Sequence, residues 1–260
     1  MKRFFNDFKK YARYMKYSTK AGLKAEIANS HLSWMWWFLD PICFMVIYTF
    51  IAEVVFARSE PYFPVYVFIG LTVWNFFSKV MTGSVKLVKN QKSILTRVYL
   101  PKWILSIEKM GNLFFKMCIS FALVLILMII FQVPFSLQLF NLIPVTIVLL
   151  VITFGFSTIL LHFGVFMEDL SNIVSIFLRL LFYLSGIFYN VYSRVPEPYN
   201  KILLRGNPAA FIIEQSRKII IYQQVPDYLW LSIWMAIGLA VSIIGVATIY
   251  KYENSYAKVI

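Results

Sequence analysis

Glu168 and Asp169 are the one adjacent acidic pair in this chain. Two carboxylates side by side could hold a metal ion or exchange a proton with a substrate. They stand directly before an apolar run, however, where negative charge favours the positive end of a helix dipole, so helix-start charges are the simpler expectation. The two histidines, His31 and His162, lie far apart and have no cysteine or second acidic partner at ligand spacing. No Gly-Lys dipeptide occurs, which excludes a phosphate-cradling P-loop, and neither HExxH nor GxSxG is present. Cys43 and Cys118 sit inside apolar runs and read as small buried hydrophobes, with neither a disulfide framework nor zinc spacing around them. The site is expected to hold no metal and no catalytic residue.

Charges inside apolar runs are costly and so are functional candidates. Arg179 lies about ten residues into such a run, and Phe182, Tyr183, Gly186 and Tyr189 follow on its helical face. This stripe could line a hydrated path, with aromatic faces against sugar rings; equally, Arg179 could snorkel to the headgroups or pair within a helix bundle. Glu53, Lys79 and Lys116 are nearer run ends, where snorkelling is expected. Asp40-Pro41 is expected to cap or kink the start of the first run. Trp34, Trp36 and Trp37 cluster where amphipathic rings form an interfacial belt, with substrate-headgroup contact as the second reading.

The elements that must carry these residues are transmembrane helices. The 260 residues are 60% hydrophobic, 18% aromatic and only 14% charged, with mean hydropathy +0.71. A soluble domain carries about 25% charged residues. Leu142 to Met167 runs for 26 residues without Asp, Glu, Lys or Arg. At about 1.5 Å per residue, roughly 20 apolar residues cross the hydrocarbon. Spans are expected at 34–56, 62–83, 110–131, 142–167, 170–192 and 228–250, giving an all-α polytopic protein with no room for a separate soluble enzyme domain. The chain divides into a cytoplasmic interfacial segment, 1–33, and a six-helix transmembrane domain, 34–260.

With the N-terminus inside, the loops on that side hold 16 Lys and Arg, and the opposite loops hold 6, including Arg58. Both termini are therefore expected in the cytoplasm. The net charge of +13 follows from this asymmetry and needs no nucleic acid. The first apolar run begins too deep and runs too long for a cleavable signal.

Three segments between or before spans stand out. Phe4, Phe8, Tyr11 and Met15 recur at helical spacing, with Lys2, Lys9, Arg13, Lys16 and Lys20 opposite, so an amphipathic helix should lie along the inner leaflet. The loop from Ser84 to Lys109 is punctuated by Pro101, and Leu87, Ile94 and Leu95 offer it a small apolar face for a cytoplasmic partner. Residues 193–227 contain a helix of about 15 residues, too short to span, with Asn207 as N-cap, Pro208 in the first turn, and Glu214 placed to pair with Arg217 or Lys218. An interfacial or re-entrant role is expected for it.

The stretch KAEIANSHLSWMWWFLDP (24–41) resembles the start of the first span in permease subunits of ABC exporters for cell-surface polysaccharides. KNQKSILTRVYLPKWI (89–104) resembles their coupling helix. MEDLSNIVSIFLRLLFYLSGIFYN (167–190), followed by GNPAAFIIEQSRKIIIY (206–222), resembles their fifth span and outer helices, with Gly186 in place of the usual Pro and hence a softer bend. The order, spacing and topology over the whole chain are most similar to teichoic acid and O-antigen exporters.

That resemblance implies half of a homodimeric channel in a bacterial plasma membrane, docked on two ATP-binding subunits. ATP and Mg would be bound by those partners, with no cofactor in this chain. Lys89, Asn90, Lys92, Ser93, Leu95, Thr96, Arg97 and Tyr99 would belong to the coupling helix. Phe4, Phe8, Tyr11 and Met15 would form an inner-leaflet gate for a lipid-linked glycan. Glu214, Arg217 and Lys218 would sit on the second of two outer re-entrant helices, and Trp37, Arg179, Phe182, Tyr183 and Tyr189 would line the channel. The competing readings are an exporter of small lipids or drugs with this architecture, a membrane transferase acting on a lipid carrier, and a structural or sensory membrane protein.

Overall fold

Helices that are apolar on every face must be covered by lipid or by other helices, and in hydrocarbon their backbone must bond internally. The computed structural model of the chain describes residues 2–28, 34–51, 54 and 60–259, and among these it has helices and turns but no strand. In chain order, α1 spans Lys2–Ala28, α2 Trp36–Phe50 and α3 Phe63–Val85. Two single turns follow, α4 (Leu87–Asn90) and α5 (Lys92–Leu95), then α6 (Trp103–Ile130). α7 (Leu142–Phe166) and α8 (Leu170–Leu184) precede three shorter helices, α9 (Val191–Arg194), α10 (Tyr199–Gly206) and α11 (Pro208–Ile220). α12 (Tyr228–Lys251) and α13 (Glu253–Val259) end the chain.

Four of these segments are long and apolar enough to cross a membrane: α3, α6, α7 with the turn before it, and α12. α2 and α8 are apolar but only 15 residues each. At about 1.5 Å per residue they reach roughly 22 Å, less than the ~30 Å of hydrocarbon. The expected span 170–192 is thus shorter as a helix, whereas Ile51 and Val54 are still helical after α2 and the rest of 52–59 lies outside the described residues. For α8 the cause is local: Gly186 takes φ 63°, a left-handed turn that ends the helix. Proline cannot adopt that angle. The bend at this point is a complete helix stop and not the softer kink expected. Glu53, Arg58 and His31 lie outside the described residues.

α6 also departs from expectation, beginning at Trp103 and not at 110. Trp103, Ile104, Leu105 and Ser106 are buried against other helices, so this first turn is held by protein and not by lipid, where hydropathy would have marked it.

α3 is the hub, packed against α2, α6, α7, α8 and α11 and buried along most of its length. It is also the least hydrophobic of the four candidate spans, because Thr72, Asn75 and Ser78 meet neighbouring helices and need no lipid compatibility. α7 and α12 form the tightest pair. Their backbones approach so closely that a Cβ at Gly245 would lie 2.1 Å from Thr158 Oγ1. Gly245→Leu is therefore expected to lower stability by about 1–3 kcal/mol or more. A fall in the thermal midpoint of the solubilised chain would show it, and an unchanged midpoint would contradict this packing.

A second apolar cluster, at the end where α1 and α13 meet, joins Met15, Leu87, Leu100, Trp103, Leu161, Ile249 and Tyr256. His162 belongs here: its Nδ1 lies 2.6 Å from the Tyr256 hydroxyl. Cys43 and Cys118 are exposed and face outward, where lipid would cover them, contrary to their expected burial.

Candidate functional site

The residues singled out in the sequence separate into four places. The first is a clasp that holds the α8–α11 region against α3. Asn207 caps α11 as expected, its Oδ1 accepting from the amides of Ala209 at 3.0 Å and Ala210 at 3.3 Å. The same side chain donates to Ser185 Oγ at 2.9 Å, tying the start of α11 to the end of α8. Arg217 is only 1% exposed. Its guanidinium donates to the carbonyls of Tyr66 (3.2 Å), Gly186 (2.7 Å) and Ile187 (2.8 Å), and stacks 3.4 Å from the centroid of the Tyr66 ring. Tyr66 in turn donates its hydroxyl to the Tyr189 carbonyl at 3.0 Å.

The helical pairing of Glu214 with Arg217 or Lys218 does not form: among the described residues neither pair comes within 4.0 Å. Glu214 is buried at 4% exposure, and Lys218 instead lies over the Tyr192 ring at 5.3 Å. The carbonyls of Gly186 and Ile187, freed by the chain reversal at Gly186, and the α3 carbonyl of Tyr66 together outcompete one carboxylate for the planar fork of donors. Tyr66 was missed in the sequence, since nothing local marks an aromatic 151 residues from its arginine.

The second place is the aromatic stripe, which the structure splits. Phe182 turns inward between Trp74 and Phe188, with ring centroids 5.5 and 5.3 Å away. Tyr189 uses its hydroxyl on the Tyr183 carbonyl at 2.9 Å, closing the turn after α8. Arg179 and Tyr183 (67% exposed) face outward with Ile176 and Leu180, a face that no other described element covers. Trp37 is elsewhere, packed edge-on to Phe115 with Lys116 5.1 Å from its ring centroid. Lys116 does not snorkel freely: it holds Glu26 of α1 at 2.5 Å, while Lys79 lies 3.9 Å from Asp40. Trp34 and Trp36 are exposed, as a belt requires.

The third place is the expected coupling segment. It is two turns, not one helix, because Gln91 breaks the run between α4 and α5. Leu87, Val88 and Leu100 anchor it in the second cluster, and Leu95 packs against that cluster too. The apolar side chains it presents outward are Ile94 and Val98, one turn apart. Asn90, Lys92, Ser93, Thr96 and Arg97 surround them on the exposed surface. Lys89 bonds Glu168 at 3.2 Å, so this acidic residue braces the loop, while Asp169 occupies the N-cap position of α8 without a side-chain cap bond. No group of three or more His, Cys, Asp or Glu that could hold a metal occurs among the described residues.

The fourth place connects α1 to that segment. Arg3 donates to the Tyr99 hydroxyl at 2.6 Å and pairs with Glu253 at 2.8 Å, and Tyr99 donates to Glu253 as well. Asp7 accepts from Tyr250 at 2.7 Å, and Tyr250 accepts from Trp103 Nε1 at 3.0 Å. Phe4 packs on Trp103, and Met15 is buried, with Tyr11 partly so. Phe8 lies on the exposed flank, and Asp7 takes its place on the packed face, because its carboxylate has a partner there. The amphipathic helix is thus bound to protein as well as available to a membrane surface. Arg3, Glu253 and Tyr250 were not legible, since their partners are separated by 96 to 250 residues.

A chain without strands among its described residues, and with several apolar helices of membrane-crossing length braced at both ends, is a multi-pass membrane protein. The chain belongs to the ABC-2 type transporter family, whose profile matches residues 15–221. It is 28% identical over 208 residues, 79% of each chain, to the O-antigen export system permease protein RfbA of Myxococcus xanthus. It is 25% identical over 244 residues, 93% of each chain, to two proteins of the same name from Klebsiella pneumoniae.

Proposed function

We propose that this chain is the transmembrane subunit of an ATP-driven exporter that moves a lipid-linked surface polysaccharide, of the O-antigen or teichoic acid kind, across the plasma membrane. The observation that carries the reading is its similarity, over nearly the full length of both chains, to proteins named as O-antigen export permeases. ATP hydrolysis belongs to separate ATP-binding subunits, two per transporter, docked on Ile94, Val98 and the polar residues around them. α2 and α8 complete six spans together with the flanking turns, α10 and α11 form the outer re-entrant pair, and both termini are cytoplasmic.

The uncovered face of α8 supports a homodimer in which Arg179 and Tyr183 border the path between two copies. An uncompensated guanidinium facing acyl chains is costly, whereas a hydrated path accommodates it. Arg179→Leu is then expected to block export while leaving dimer and expression intact, and full export by that variant would place Arg179 at the headgroups. The function itself is tested by deleting the gene and assaying surface polysaccharide. Loss of surface glycan with precursor retained inside is expected, and unaltered surface glycan would overturn the proposal. An exporter of small lipids would leave the surface polymer intact and alter lipid composition instead.

A further inference from the structure

The clasp that holds α8 and α11 against α3 encloses a carboxyl group that its hydrogen bonds do not use. Glu214 stands three residues before Arg217 on α11 and is 4% exposed. Among the described residues neither a hydrogen bond nor an ion pair reaches its carboxyl. The two cations of its own helix are engaged elsewhere. Each of the three guanidinium nitrogens of Arg217 donates to a backbone carbonyl, and the Lys218 ammonium lies over the Tyr192 ring. Glu60, in the loop before α3, is the other charge in range, and it has the same sign as Glu214. An ionised carboxylate here is costly, because burial strips its water and no donor replaces it. A neutral carboxyl fits the same place at far lower cost.

We propose that Glu214 holds a proton in the closed clasp and that losing this proton opens it, so that the α8–α11 region is a proton-sensitive latch. The ionised carboxylate gains relief in two ways, by drawing Arg217 off the carbonyls of Gly186 and Ile187 or by turning out to water. Both undo the contacts that fix the chain reversal beside α3. In the topology proposed above this end faces outward, so external acidity holds the latch shut.

The direction of the response follows from the surroundings. Burial raises the proton affinity of Glu214 above that of an ordinary glutamate; Arg217 and Lys218 oppose the rise, and Glu60 adds to it. The other elements packed on α11 bring no competing charge. α7 and the turn before it have no Asp, Glu, Lys or Arg. On α10, Lys201 is taken by Glu197 at 3.0 Å and Arg205 by the Trp230 ring at 4.8 Å. Asp227 spends its carboxylate on the Trp230 amide at 3.2 Å. Tyr66 and Tyr222 are also in range of Glu214, but phenols stay protonated to about pH 10. The closed clasp is therefore most stable in acid, where Glu214 is neutral whether the clasp is closed or open. That stability is lost as pH rises from the ordinary glutamate value to the raised one.

The purified full-length chain in detergent tests this with two readouts between about pH 4.5 and 9. The infrared carbonyl band of a protonated carboxyl should persist above the pH at which ordinary glutamates ionise, and Glu214→Gln should lack it. Cleavage within 186–207, normalised to an unfolded peptide at each pH, should rise by up to about tenfold per pH unit until that band has gone, then level off. Glu214→Gln mimics the neutral form and should be cleaved slowly at every pH. Glu60→Gln removes the like charge and should move both the band and the plateau to lower pH. No persistent band in the wild-type chain, or cleavage of Glu214→Gln that climbs with pH as the wild type's does, overturns the proposal. A band that titrates with no change in cleavage overturns it too, since the proton then controls no latch. If Glu214→Gln misfolds, Glu60→Gln decides alone, and an unmoved band and plateau overturn the proposal. Neither ATP turnover nor export is read, so the latch and the proposed function stand or fall separately.

Discussion

Arg217→Lys is expected to release the α8–α11 region from α3. Lysine keeps the charge but lacks the planar fork, so it can reach one of the three carbonyls and cannot stack on Tyr66 as the guanidinium does. The Tyr66 carbonyl belongs to a helix and retains its backbone partner, which leaves the carbonyls of Gly186 and Ile187 as the groups at risk. A buried acceptor left unpaired costs about 1–3 kcal/mol, so Arg217→Leu should cost about 2–6 kcal/mol, with Lys in between. Local unfolding should precede global unfolding, because the short helices α9 and α10 depend on this anchor. Protease cleavage within 186–207 would report it, at temperatures where the wild-type chain resists. Equal resistance of wild type and Arg217→Lys would show that the clasp contributes nothing.

The second large effect is at the proposed coupling segment. Ile94 and Val98 are the exposed apolar pair there, while Leu95 is turned toward the second core cluster. Ile94→Asp or Val98→Asp puts a carboxylate where a partner would bury an apolar side chain. Docking of an ATP-binding subunit should weaken on the order of a hundredfold, with the isolated chain unaffected. Leu95→Asp should behave oppositely and lower the stability of the chain itself. Pull-down of the ATP-binding subunit and thermal midpoints of the chain separate the two. If Leu95→Asp leaves the fold intact and abolishes docking while Ile94→Asp does neither, this segment turns its other face to the partner.

How far the sequence reached depends on whether a feature is local. The helices α7 and α12 agree with their expected ranges within a residue or so, because lipid exposure makes them apolar on all sides and hydropathy records that. Asn207-Pro208 announced the start of α11, since capping is decided within three residues. Residues whose roles come from distant segments were misread. Glu214 stood at pairing distance from Arg217 along the helix, yet carbonyls 30, 31 and 151 residues away took the arginine. Phe8 had the spacing of the packed face of α1, but Asp7 found a tyrosine on α12 and displaced it. The end of α8 hinged on one dihedral angle at Gly186, which composition does not record. The stripe from Arg179 to Tyr189 was visible, but which of its residues turn inward depended on Trp74 and Phe188.

Under the proposed function, this chain converts ATP hydrolysis by a partner into movement of a lipid-linked glycan. The direct measurement is ATP turnover by the chain co-purified in lipid bilayers with the ATP-binding subunit encoded nearest its gene, with and without lipid-linked glycan from the same cells. A stable complex is expected, whose turnover rises on adding the glycan and loses that rise in Ile94→Asp. A chain that purifies alone, or a complex whose turnover ignores the glycan, would contradict it.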